Sequence, residues 1–84
     1  MRLHRTPAEW ADERAARAEE RAGRAREHAA LARDHALHDA ERGYDDHEQL
    51  HYQEADMHES AAVRQDQAAA IQRNHAAQLR SGRY

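Results

Sequence analysis

The sequence predicts an all-α protein: an antiparallel two-helix hairpin with an alanine-rich heptad seam, suited to dimerise into a four-helix bundle. Three observations predict it. Alanine recurs every seven residues through the first half of the chain, a glycine followed by acids punctuates the middle at Gly43 to Asp46, and large apolar residues are too few for an ordinary core. A single continuous coiled-coil helix is the alternative, because the seven-residue frame of positions 36, 43, 50, 57, 64 and 71 passes through Gly43 unbroken and a lone glycine is tolerated in a helix.

The first helix is expected over residues 7–42. Thr6 caps it, Pro7 occupies the first helical position where its missing N–H costs nothing, and Glu9 lies three residues after the cap. Beyond Pro7 only Gly23 opposes helix formation, by about 1 kcal/mol relative to alanine. Ala8, Ala15, Ala22, Ala29 and Ala36 fill one seam position, and Ala11, Ala18, Ala25 and Ala32 the other. Helix propensity alone has no reason to keep a seven-residue phase, so this is a packing signal. With only methyl groups at the contact, two helix backbones can approach toward the short end of the roughly 8–10 Å range. Outside the seam, Glu13/Arg17 and Glu20/Arg24 are spaced for ion pairs along the helix.

The turn is placed at 43–45, with Gly43 in the left-handed conformation and Asp45 or Asp46 capping the second helix. That helix is expected over 46–80, leaving 1–6 and 81–84 as flexible ends. Extending the first helix's frame through the turn gives it a seam of Leu50, Met57, Ala61, Ala68 and Ile71. Folding back at the turn sets residue i opposite 86 minus i, so Leu50, Met57 and Ile71 would pack into the holes left by Ala36, Ala29 and Ala15. The predicted interface is therefore Ala15, Ala18, Ala22, Ala25, Ala29, Ala32 and Ala36 against Leu50, Met57, Ala61, Ala68 and Ile71.

Composition narrows the function. Of the 39% hydrophobic residues, twenty are alanines, cysteine and phenylalanine are absent, and the net charge is only −3. Without thiols, disulfides and thiolate metal sites are excluded. A domain of this size usually needs a staple or a second chain. Histidine-bound metal and association are what remain. No stretch approaches the roughly 20 apolar residues of a membrane span, and the N-terminus lacks the apolar run of a signal peptide, so a cytoplasmic protein is expected. Nucleic acid is an unlikely partner, because Glu13, Glu20 and Glu27 run beside Arg14, Arg17, Arg21 and Arg24. Trp10 is a candidate anchor for a partner or a cover for the end of the bundle.

Residues 47–51 spell HExxH, the pattern in which two histidines one turn apart hold zinc beside a glutamate base. Composition alone produces the motif in roughly one such chain in twelve, no third ligand or glycine follows at the required spacing, and a hairpin offers no substrate cleft, so no enzyme is expected. Glu48 and His51 also match the Glu-x-x-His pair of di-iron bundles. In a frame centred on Leu50, however, Glu48 points away from the seam. More relevant is the density of Asp, Glu and His between 45 and 59, where His47, His51 and His58 share a stripe with Glu54 nearby. They are the candidate metal ligands, for zinc, nickel, copper or iron, although a cofactor-free protein with a solvated acidic face is the simpler expectation. Protonating all eight histidines would move the formal charge from −3 to +5, so association is expected to weaken as pH falls through about 6.

The leading reading is thus a non-enzymatic assembly or adaptor protein that associates with itself, as a dimer or tetramer, or with another helical protein. A histidine-based metal-binding or metal-sensing bundle is the alternative.

Overall fold

The computed structural model describes residues 5–82, and the outermost parts of the two predicted flexible ends, including Leu3 and Tyr84, lie outside the described residues. Helix α1 spans Pro7–Glu41 and helix α2 spans Asp45–Ser81, and they pack against each other as an antiparallel hairpin. The single continuous helix is not formed.

Local chemistry sets the ends. The Glu9 backbone N–H donates to Thr6 Oγ1 at 3.1 Å, and the Thr6 hydroxyl donates to Glu9 Oε1 at 3.1 Å, which satisfies one of the orphan donors of the first turn. At the other end of α1, Gly43 adopts φ +77°, its N–H donates to the Ala40 carbonyl at 3.1 Å, and the Tyr44 N–H reaches back to Asp39 at 2.8 Å. This paired closure needs a left-handed residue, which glycine supplies without steric cost. The expected aspartate cap of α2 is replaced. Tyr44 stands at the cap without a side-chain hydrogen bond, and Asp45, Asp46 and Glu48 all fall in the first turn, where they favour the positive end of the helix dipole. Gly82, at φ +72°, closes α2.

Among the described residues, every buried side chain is an alanine. Ala8, Ala11, Ala15, Ala18, Ala22, Ala29, Ala32 and Ala36 of α1 are buried against Ala55, Ala62, Ala69 and Ala76 of α2, and Ala25 is half-buried. They interlock in layers: Ala76 with Ala8 and Ala11, Ala69 with Ala15 and Ala18, and Ala55 with Ala29 and Ala32. Leu79 covers the first layer.

The predicted seam of α2 is corrected here. Leu50, Met57 and Ile71 are 61%, 72% and 67% exposed, Ala68 is exposed and Ala61 half-buried. The register itself follows the 86-minus-i rule, since the ring contacts of His28 with His58 and of His35 with His51 both obey it. What differs is the face. A turn in which Gly43 reverses the chain frees α2 from the phase of α1. Helix α2 then presents its own heptad repeat, Ala55, Ala62, Ala69 and Ala76, because methyl against methyl allows closer backbone approach than a leucine in the same place.

One flank of the seam carries a ladder of charges. Arg33 Nη1 stands 3.0 Å from Glu59 Oε1, the Arg73 Nε–H donates to Glu19 at 2.8 Å, and Arg26 pairs with Asp66 and Arg80 with Asp12. Hydrogen bonding to Asp66 and Asp12, and their charge, holds the guanidinium pKa of Arg26 and of Arg80 above the ordinary arginine value. Each pair is solvated and contributes little to stability by itself. Their order matters more than their strength. Acid, acid, Arg, Arg on α1 (positions 12, 19, 26, 33) meets Arg, Arg, acid, acid on α2 (positions 80, 73, 66, 59), whereas parallel helices would set like charges together at all four levels. The expected Glu13/Arg17 pair gives way to Glu13 with Arg5 at 3.0 Å.

Candidate functional site

The other flank is apolar and histidine-rich. On α1 it carries Arg14, Arg21, His28 and His35, one residue before each seam alanine, and α2 supplies Glu54, Ala61, Ala68 and His75 in the same way. At about 100° per residue, positions two after a seam residue adjoin this flank. They include Trp10, Arg17, Arg24 and Leu31 on α1, and Leu50, Met57, Arg64 and Ile71 on α2. All eight are exposed.

The flank divides into two halves. Near the open end, Arg14 lines a groove with Trp10, Ala11 and His75. Arg14, Arg17, Arg24 and Arg64 form no ion pair among the described residues, while Arg21 donates to Gln65 at 3.1 Å. Near the turn, the arginines give way to Leu31, Leu50 and Met57 beside a second groove lined by His28, Leu31, His35, Glu54 and His58.

This second groove holds a cluster that only partly matches the predicted metal residues. Helix geometry brings His51, Glu54 and His58 together: His51 Nδ1 is 3.4 Å from Glu54 Oε2, and His58 Nε2 is 3.9 Å from Glu54 Oε1. His47 stands apart, its ring 5.8 Å from that of Tyr44 at the turn. In its place α1 contributes three residues. The His28 ring lies 5.2 Å from that of His58, the His35 ring 5.3 Å from that of His51, and Asp39 Oδ2 stands 3.3 Å from His51 Nε2. Asp39 Oδ2 and His51 Nδ1 are both shielded from solvent without completing a hydrogen bond. Among the described residues, no group of three or more histidine or carboxylate side chains is placed to hold a metal ion.

His28, His35 and Asp39 escaped the sequence reading because that reading searched α2 alone for ligands spaced along one helix. The signal was present in the register, since 86 minus i carries 58 to 28 and 51 to 35. Glu48 likewise changes sides once the seam is centred on Ala55. It is half-buried, in line with the α2 alanines.

No family model, curated protein or solved structure matches this chain. No helix among the described residues is long and apolar enough to cross a membrane.

Proposed function

We propose that the chain is a non-enzymatic helical assembly protein whose turn-proximal flank pairs with the same flank of a second copy. One observation carries this reading: the interior is closed by methyl groups, and the large apolar side chains are left outside. Twelve buried alanines contribute about 10 kcal/mol of gross hydrophobic stabilisation at roughly 0.8 kcal/mol per methyl. Leu31, Leu50 and Met57 remain more than half exposed, and burying what is left of each in two copies recovers roughly 6–12 kcal/mol. That only narrowly offsets the roughly 4–15 kcal/mol cost of association, so the surplus is small and weak association, with Kd of the order of a millimolar, is expected.

Charge favours a second copy as the occupant. Between Arg24 and Arg42 on α1, and before Arg64 on α2, this flank carries two carboxylates, Asp39 and Glu54, and no arginine, so identical stretches meet there without opposing fixed cations. The arginines of the open-end half repel one another when two hairpins align open end to open end, which confines a contact of that orientation to the half nearer the turn. That half measures about 26 Å by 20 Å, some 500 Å² in projection, at the low end for specific interfaces.

Sedimentation equilibrium from low micromolar to millimolar concentration tests the proposal. A concentration-dependent monomer–dimer equilibrium is expected, weakened at least tenfold by Leu50→Gln with Met57→Gln, with the helicity of the dilute chain unchanged. A monomer throughout, or a dimer indifferent to both substitutions, overturns it. In the first case the flank serves a different helical partner or none.

A further inference from the structure

We propose that the groove between the helices is a transition-metal site in which His35 from α1 and His51 and Glu54 from α2 ligate one ion, with Asp39 as the positioning residue behind His51. The site would take zinc or a similar borderline cation, Ni²⁺ or Cu²⁺. All four residues belong to one chain, so the ion needs no second copy, but its groove shares the flank proposed above for assembly, and binding is therefore read on dilute, monomeric protein.

Distances carry the argument. Zinc binds imidazole nitrogen and carboxylate oxygen at about 2.0–2.2 Å, so two donors on a tetrahedral ion stand about 3.3–3.5 Å apart. His51 Nδ1 and Glu54 Oε2 are 3.4 Å apart, too far for a strong hydrogen bond and spaced as two ligands of one ion. Two imidazoles on such an ion place their ring centres about 5 Å apart, since each centre lies about 3 Å from the metal. The His35 and His51 rings are 5.3 Å apart.

The second nitrogen of His51 supplies the rest of the pattern. A metal-bound histidine ordinarily donates its other N–H to a carboxylate, which fixes the tautomer and the ring orientation. Asp39 Oδ2 lies 3.3 Å from His51 Nε2, shielded from solvent and completing no hydrogen bond. With Nε2–H directed at Asp39, the lone pair of His51 sits on Nδ1, toward Glu54. The ion displaces no protein hydrogen bond there, because His51 Nδ1 makes none.

The third donor is not yet in place, which agrees with the absence of three converging ligands among the described residues. His35 is exposed and meets His51 by an edge contact, so rotation about its side-chain bonds completes the set. His35 and Glu54 both line the open groove, which gives the ion its entry path, and a water or His58 fills the fourth position. A site built across both helices clips the hairpin beside the turn, whereas a His47/His51 chelate would grip α2 alone.

The test uses the untagged full chain and Zn²⁺ or Co²⁺ alone. Calorimetry is expected to show one ion per chain at micromolar affinity, and Co²⁺ to give the intense visible bands of tetrahedral coordination. Bound metal should raise the thermal midpoint in proportion to the logarithm of its concentration. His35→Ala should lower affinity at least tenfold, and Asp39→Asn by about 10–100-fold. Both should retain the circular-dichroism helicity of the wild type, which separates a positioning role for Asp39 from a structural one. His47→Ala should leave binding unchanged. The proposal is overturned if no stoichiometric binding occurs, or if His47→Ala abolishes binding while His35→Ala does not.

Discussion

Replacing Ala69 by leucine puts the methyl-only core to its sharpest test. Ala69 is buried between Ala15 and Ala18, with no large side chain in its layer. The three added carbons would gain about 2.4 kcal/mol if they could be buried at no other cost, at roughly 0.8 kcal/mol each. They have nowhere to go. The helices must part to admit the isobutyl group, and parting them loosens the neighbouring Ala62 and Ala76 contacts as well, each worth about the same per methyl. Overpacking of a tight core typically costs about 1–3 kcal/mol after any gain, and separation along a rigid helix places this site toward the upper end. We expect a net loss of about 2 kcal/mol. With a urea m-value near 1 kcal/mol/M for so small a protein, the midpoint should fall by about 2 M. Ala70→Leu, one residue on and exposed, serves as the control and should change stability by less than about 0.5 kcal/mol. Urea denaturation followed by circular dichroism on dilute protein reads both. Should Ala69→Leu stabilise the hairpin, the seam accepts large knobs after all, and the argument that close backbone approach selects alanine fails.

Other consequences are equally direct. Arg26→Glu sets like charges against Asp66 and should lower the urea midpoint at low salt, with Asp66→Arg restoring it. A double-mutant cycle with no coupling at low salt would remove the ladder from the account. The two interior glycines should respond with opposite signs. Gly23 is exposed in the middle of α1 with open space where a Cβ would stand, so Gly23→Ala should stabilise by about 1 kcal/mol. Gly43 also has open space, but its φ of +77° should make Gly43→Ala cost about 1–2 kcal/mol by thermal melting.

The sequence by itself determined the helical class and the start and stop of α1, whereas the choice of a hairpin over one continuous helix and the capping of α2 by Tyr44 were decided in the folded chain. Thr6, Pro7 and Gly43 act through local backbone chemistry that needs no tertiary context, and the heptad alanines of α1 declare a packing stripe wherever that helix is placed. The charge order at positions 12 to 33 and 59 to 80 also encodes antiparallel pairing, although it becomes legible only once residues are compared across the turn. Which face of α2 turns inward was decided by the tertiary structure. Two seven-residue frames compete on that helix, one through Leu50, Met57 and Ile71 and one through Ala55, Ala62, Ala69 and Ala76. Hydrophobicity alone favours the first, but α1 offers a row of methyls, and against it only small side chains let the two backbones close along their whole length. That choice sends the large apolar residues outward to form an interaction face. It also moves Glu48 onto the seam and carries His28, His35 and Asp39 across to His58, His51 and Glu54. No spacing along one helix reveals a cluster whose halves lie on different helices, because its geometry exists only after the helices are in register.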